Sequence, residues 1–115
     1  MDQINADLER ATEIGALLAQ AIPDNLPGNY RFSSDYPDQY AAWSEIASRF
    51  ERSNIYTVRM IGYNMRRLSN AMERADTETG NGRNGLRQRG KVHKAVHRLA
   101  VASTRHRKWV ERNEL

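Results

Sequence analysis

Apolar residues recur along this chain at steps of three and four, and nowhere alternate over the length of a strand, so the spacing predicts helices throughout. The first is expected over residues 3–22. Ile4, Leu8, Ala11, Gly15, Leu18 and Ile22 form its stripe, Ile14 and Leu17 widen it, and Pro23 stops it. Asp2, Asp7 and Glu9 stand in its early turns, where carboxylates favour the positive end of the helix dipole. A second helix is expected from an N-cap at Asp35, with Pro37 in the first turn and Tyr36, Tyr40, Trp43, Ala47 and Phe50 on the buried face. Ser53 or Asn54 is the expected cap of a third helix, reaching about residue 75. There Val58, Ile61, Met65, Leu68, Met72 and Ala75 keep a heptad-like seam suited to near-parallel packing. Whether helices two and three are separate or one bent rod is open on spacing alone.

Two segments interrupt the pattern. Residues 23–36 carry Pro23, Pro27 and Gly28 together with Leu26, Tyr30, Phe32 and Tyr36, which predicts an ordered cover over the core. Residues 76–90 hold four Gly and two Asn, which predicts a mobile basic loop. A last helix then runs from residue 87 or 91 to about 112. The expected fold class is all-α: a small antiparallel helical bundle of about four helices with a basic C-terminal helix, residues 1–115 forming one domain.

Charge changes this picture most in the last third. Residues 81–115 carry ten Lys and Arg against Glu111 and Glu114, a net +8, whereas residues 1–80 are −4. No acid stands between Glu78 and Glu111. On a wheel with Lys91 at zero, Val92, Ala95, Val96, Leu99, Ala102, Ser103, His106 and Val110 fall between about 20° and 140°. Arg87, Lys91, Lys94, Arg98, Arg105, Lys108 and Arg112 fall between about 260° and 360°, interrupted only by Val101, with Trp109 at the junction of the two faces. The plain alternative is a solvated face. Solvated helices, however, commonly intersperse Glu with Lys at four-residue spacing, and unrelieved like charge repels itself, so a neutralising partner is expected.

The expected function is therefore a non-catalytic binding protein. Arg83, Arg87, Arg89, Lys91, Lys94, Arg98, Arg105, Lys108 and Arg112 would contact nucleic-acid phosphates without reading bases. The alternative is a small phage- or mobile-element-type inhibitor or adaptor that docks on another protein, itself acidic or nucleic-acid-binding. The seam on helix three also admits a homodimer.

Other chemistry finds less support. With no Cys, disulfides and thiolate metal sites are excluded, and no cofactor is expected. His93 and His97 share a helix face at four-residue spacing, but Lys94 and Arg98 beside them would repel a cation. Residues 45–58 are similar to a helix-turn-helix, with Arg59, Arg66 and Arg67 as its reading face, but Glu51 stands where the turn usually has Gly. Arg87 and His93 have a spacing similar to the Arg–His pair of HEPN-type ribonucleases, without the polar residues that follow the Arg there, so no catalytic set is assigned. No apolar run approaches a membrane span, and the acidic first residues lack a secretory signal, so the expected location is the cytoplasm.

Overall fold

The computed structural model describes residues 2–21, 33, 36–77 and 82–113, with side chains described for 3–18, 33, 36–74 and 90–113. Four helices pack into an all-α bundle of about 51 × 25 × 22 Å, with no strand among the described residues. They are α1 (Asp2–Ala21), α2 (Pro37–Glu51), α3 (Tyr56–Thr77) and α4 (Gly82–Asn113). Helix α3 is the centre of the array, with α4 along one side in the largest contact, α2 along the other, and α1 resting on α2.

The α3 seam is as its spacing predicts. Val58, Ile61, Met65, Leu68 and Met72 are all buried, while the side chain of Ala75 lies outside the described residues. Trp43, Ile46, Ala47 and Phe50 of α2 meet that seam from one side, and Val92, Ala95 and Ala102 of α4 from the other. The buried Trp43 indole donates to the Met65 carbonyl at 3.0 Å, which removes the penalty of an unpaired N–H in the core. Tyr36 and Tyr40 pack at the core's edge, as expected for aromatic residues at helical spacing.

Helices α2 and α3 are separate. The Arg52 and Ser53 N–H groups close the last turn of α2 on the Arg49 and Phe50 carbonyls. Ser53 Oγ then accepts the Ile55 N–H at 3.1 Å, a local bond that turns the chain before α3 begins. The two helices approach closely at Gly62, where an added Cβ would lie 2.7 Å from the Ala47 carbonyl oxygen and 2.9 Å from the Glu51 nitrogen.

Three expectations are corrected. The N-cap of α2 is Tyr36 with no side-chain bond, and Asp35 lies outside the described residues; Pro37 at the first position, with its fixed φ and missing N–H, starts this helix. Helix α4 begins at Gly82, so most of the expected loop over 76–90 is helical, and only residues 78–81 lie outside the described ones. Gly costs about 1 kcal/mol in a helix, but extending an already docked helix adds one hydrogen bond per residue, and Arg, Leu and Gln between the glycines are strong helix formers. Val96, expected on the core face, is 45% exposed. It borders an apolar groove between α1 and α4, along with Leu8, Ala11, Gly15 and Leu99, because α1 packs on α2 and leaves that flank of α4 open.

Helix α1 packs on its expected stripe, with Asp7 buried beside it. Asp7, Ile14 and Leu18 are its most buried positions, with Ile4, Leu8 and Ala11 only partly covered. Asp7 is held by an ion pair: Arg49 of α2 donates from Nε and Nη2 to the two Asp7 oxygens at 2.9 and 2.8 Å, and Gln3 adds a third bond at 3.0 Å. The Arg49 guanidinium holds the Asp7 carboxyl below its usual range, against the opposing effect of burial. Of the expected cover over 23–36, Ser33 and Tyr36 are described. Ser33 is tied to Glu73 of α3 by its N–H and hydroxyl, both at 2.9 Å, whereas Leu26, Tyr30 and Phe32 lie outside the described residues.

A candidate nucleic-acid interface between α3 and α4

Helix α4 buries Val92, Ala95 and Ala102 and turns Lys91, Lys94, Arg98, Arg105, Lys108 and Arg112 to solvent, all of them exposed. Arg112 donates to the Lys108 carbonyl at 3.3 Å and so remains folded along its own helix. None of the six forms an ion pair with an acid of the described residues; the ion pairs found there join Arg10 to Glu13, Arg49 to Asp7 and Glu45, and Arg66 to Glu51. Among the described residues, then, nothing within the fold neutralises the band. Arg83, Arg87 and Arg89 lie on the helical backbone of α4, but their side chains are outside the described residues.

The band forms one wall of a groove whose other wall is α3. One cavity, of about 350 Å³, is lined by Arg67, Asn70, Ala71 and Arg74 of α3 facing Lys91, Lys94, Ala95 and Arg98 of α4: five cations and no acid. The next, of about 320 Å³, shares Arg67 and Arg98 and continues between Tyr56, Thr57, Met60, Tyr63 and Asn64 on α3 and Val101, Ala102 and Arg105 on α4. A third, shallower depression shares Val101 and Arg105 and leads to His97 and Lys108. The first two adjoin along the α3–α4 groove, and the third lies beside them on α4, all of its lining residues coming from that helix. Val101, which interrupts the cationic band in sequence, is part of the groove's apolar floor.

Two tyrosines stand on the α3 wall. Tyr56 is 64% exposed and Tyr63 48% exposed, the two most exposed large apolar side chains described. The Arg67 guanidinium lies 5.5 Å from the Tyr63 ring centre, and Arg59 lies 5.7 Å from that of Tyr56, both within cation–π range. Tyr56, Tyr63, Arg67, Asn70 and Arg74 share one face of α3 at steps of seven, four, three and four. That spacing is present in the chain, but the stronger apolar seam on the same helix masks it. In sequence Arg67 belongs only to the helix-turn-helix pattern, and nothing there marks Arg74 or the tyrosines.

The helix-turn-helix reading face does not assemble. Arg66 is held by α2, donating to Glu51 at 2.7 Å and Ser48 at 2.8 Å, and Arg59 donates to the Ser53 carbonyl at 2.9 Å. Only Arg67 of the three opens on the groove. His93 and His97 are exposed. His106 lies behind the groove wall, 4% exposed, sharing a 2.9 Å hydrogen bond with Thr57 through Nδ1 and stacked on Trp109 at 5.9 Å. Its Nε2 finds no partner among the described residues, and burial lowers its pKa, so the ring is neutral near pH 7.

Among the described residues no helix is long and apolar enough to cross a membrane, and no group of three His, Cys, Asp or Glu is placed to hold a metal ion. The chain matches no protein-family model, no curated protein and no solved structure.

Proposed function

We propose that this is a non-catalytic nucleic-acid-binding protein. It holds a sugar–phosphate backbone in the groove between α3 and α4 and along the exposed band of α4, without reading base sequence. The observation that carries this reading is a two-walled cationic track: Arg67 and Arg74 face Lys91, Lys94 and Arg98, with Arg105 and Lys108 continuing the line and no acid lining any of the three depressions. Phosphates supply the charge that this surface lacks, and their binding releases condensed counterions, which gives affinity independent of sequence. Arg83, Arg87 and Arg89 extend the same basic segment toward the start of α4, their part resting on sequence alone.

The test is direct titration of labelled oligonucleotides of unrelated sequence at about 50 and 200 mM salt, the range over which several phosphate contacts cost orders of magnitude in affinity. The expected result is similar affinity for all sequences and a steep fall with salt. Absent or salt-insensitive binding overturns the reading. A stoichiometric protein complex from the native cell that survives nuclease treatment and moderate salt would point instead to the inhibitor or adaptor alternative.

A further inference from the structure

The groove carries more information than its charge, and the geometry points to a single-stranded nucleic acid as its ligand, with bases stacked on Tyr63 and Tyr56. This inference rests on the nucleic-acid reading above and narrows it to one substrate class.

Three features separate a single strand from a duplex here. The cations are on facing walls, Arg67 and Arg74 opposite Lys91, Lys94 and Arg98, so the charge surrounds a cleft. At about 320 and 350 Å³, the two cavities between α3 and α4 fall at the small end of small-molecule sites, the scale of a single nucleotide.

The second feature is the change of chemistry along the track. At the end near Arg74 and Lys91 five of the eight lining residues are cations, whereas the end near Tyr56 and Tyr63 adds Met60, Val101 and Ala102. An apolar, aromatic stretch gains nothing from a phosphate. It suits the face of an unpaired base, and in a duplex those faces are stacked away. Third, the Arg67 guanidinium, which lines both cavities, also lies against the Tyr63 ring. A backbone phosphate on Arg67 therefore sets its neighbouring base beside Tyr63. A cationic groove that tracks the backbone, with aromatic rings beside it, is the arrangement that binds single strands with little sequence preference.

The experiment compares one fluorescent 12-nucleotide single strand, as DNA and as RNA, with the duplex of the same sequence, using the whole chain at low and high salt. Single strands are expected to bind more tightly than the duplex. Tyr63→Ala is expected to weaken single-strand binding by roughly 5- to 150-fold, the range for loss of one base–aromatic stack. Tyr63→Phe keeps the ring and should retain most of the affinity, and duplex affinity should be the same for all three proteins. Tyr63 is exposed on a helix surface, so thermal melting should give similar midpoints for the variants. Equal or tighter duplex binding overturns the inference while leaving the nucleic-acid reading intact, as does a Tyr63→Ala loss that is equal for both ligands. Failure of every nucleic acid to bind removes both.

Discussion

Reversing Arg98 and Arg105 together tests the interface where its geometry is most explicit. Arg98 lines both main cavities, Arg105 lines the tyrosine end, and neither is ion-paired to an acid of the described residues. Seven positions apart, the two lie about 10 Å from each other along the helix. That is about one Debye length at 0.1 M salt, so their contributions should be nearly additive. On a single strand each neutralised phosphate contributes about 0.7 to the salt slope, which makes one contact worth roughly fivefold in affinity at 0.1 M relative to 1 M. Arg98→Glu with Arg105→Glu is therefore expected to weaken binding by at least about 25-fold at 0.1 M and to flatten the slope by about 1.4. Repulsion by the new carboxylates adds to that loss. Each groove cation that meets a phosphate adds about −0.7 to the wild-type slope.

Anisotropy titrations across a salt series measure both quantities, and thermal melts of the same samples supply the control. The double variant should melt no lower than the wild type. It relieves like charge on α4, and the carboxylate introduced at position 105 stands three residues before Lys108, an arrangement that contributes about 0.2–0.5 kcal/mol on a helix surface. Weaker binding with unchanged or higher stability is the signature of a surface kept cationic for a ligand. A salt slope unchanged by the reversal would refute the reasoning, and so would a fall in melting temperature large enough to account for the lost binding.

Gly62→Ala is expected to destabilise the fold by about 1–3 kcal/mol, read from urea denaturation, because the new methyl meets backbone atoms of α2 that cannot rotate away. Arg49→Ala strands the buried Asp7 carboxylate and should cost about 1–3 kcal/mol near neutral pH. In the wild type the Asp7 pKa is depressed chiefly by the Arg49 hydrogen bonds, so the unfolded chain takes the proton first. Stability is then present above the ordinary value of 3.8 and is lost as pH falls below it, a step that should shrink in the variant. His106 acts in the same direction at higher pH. Burial depresses its pKa, so the unfolded chain protonates below 6.5 while the native ring stays neutral, and melting temperature should decline as pH falls from about 6.5. His106→Leu should remove that decline.

Much of the fold was legible because burial leaves a periodic mark. The seam from Val58 to Met72 is continuous in the sequence and continuous in the core, and the valine–alanine face of α4 could be separated from its cationic face on spacing alone. What periodicity could not supply was which helix stands beside which. Val96 has core spacing but is exposed, since burial there depends on whether α1 reaches α4, and the Asp7–Arg49 pair fastens α1 to α2. Half of the groove was illegible for the same reason. Lys91, Lys94 and Arg98 announce themselves as a charge run, whereas Arg67 and Arg74 are scattered among the polar positions of α3, and only packing sets them opposite the run.

The distribution of acids explains why the α4 band has no acidic partner among the described residues. Five of the described carboxylates are engaged elsewhere: Asp7 and Glu45 on Arg49, Glu51 on Arg66, Glu73 on Ser33, Glu13 on Arg10. Each joins elements of the first two thirds of the chain or braces one helix, and none of them reaches α4. Helix α4 in turn docks on α3 through small apolar side chains, Val92, Ala95 and Ala102, with the Thr57–His106 hydrogen bond as an uncharged polar tie beside them. Such an interface leaves the flanking cations of both helices near one another, where they repel. That repulsion is tolerable because these side chains are solvated and screened, and it falls further when a polyanion enters between the walls. Ligand binding and docking of α4 are thereby coupled: a polyanion that neutralises the track should raise the melting temperature of the protein. The rise should diminish with added salt and be lost in the Arg98→Glu, Arg105→Glu variant. A ligand-induced rise of the same size in that variant would show that the anion binds somewhere other than this groove.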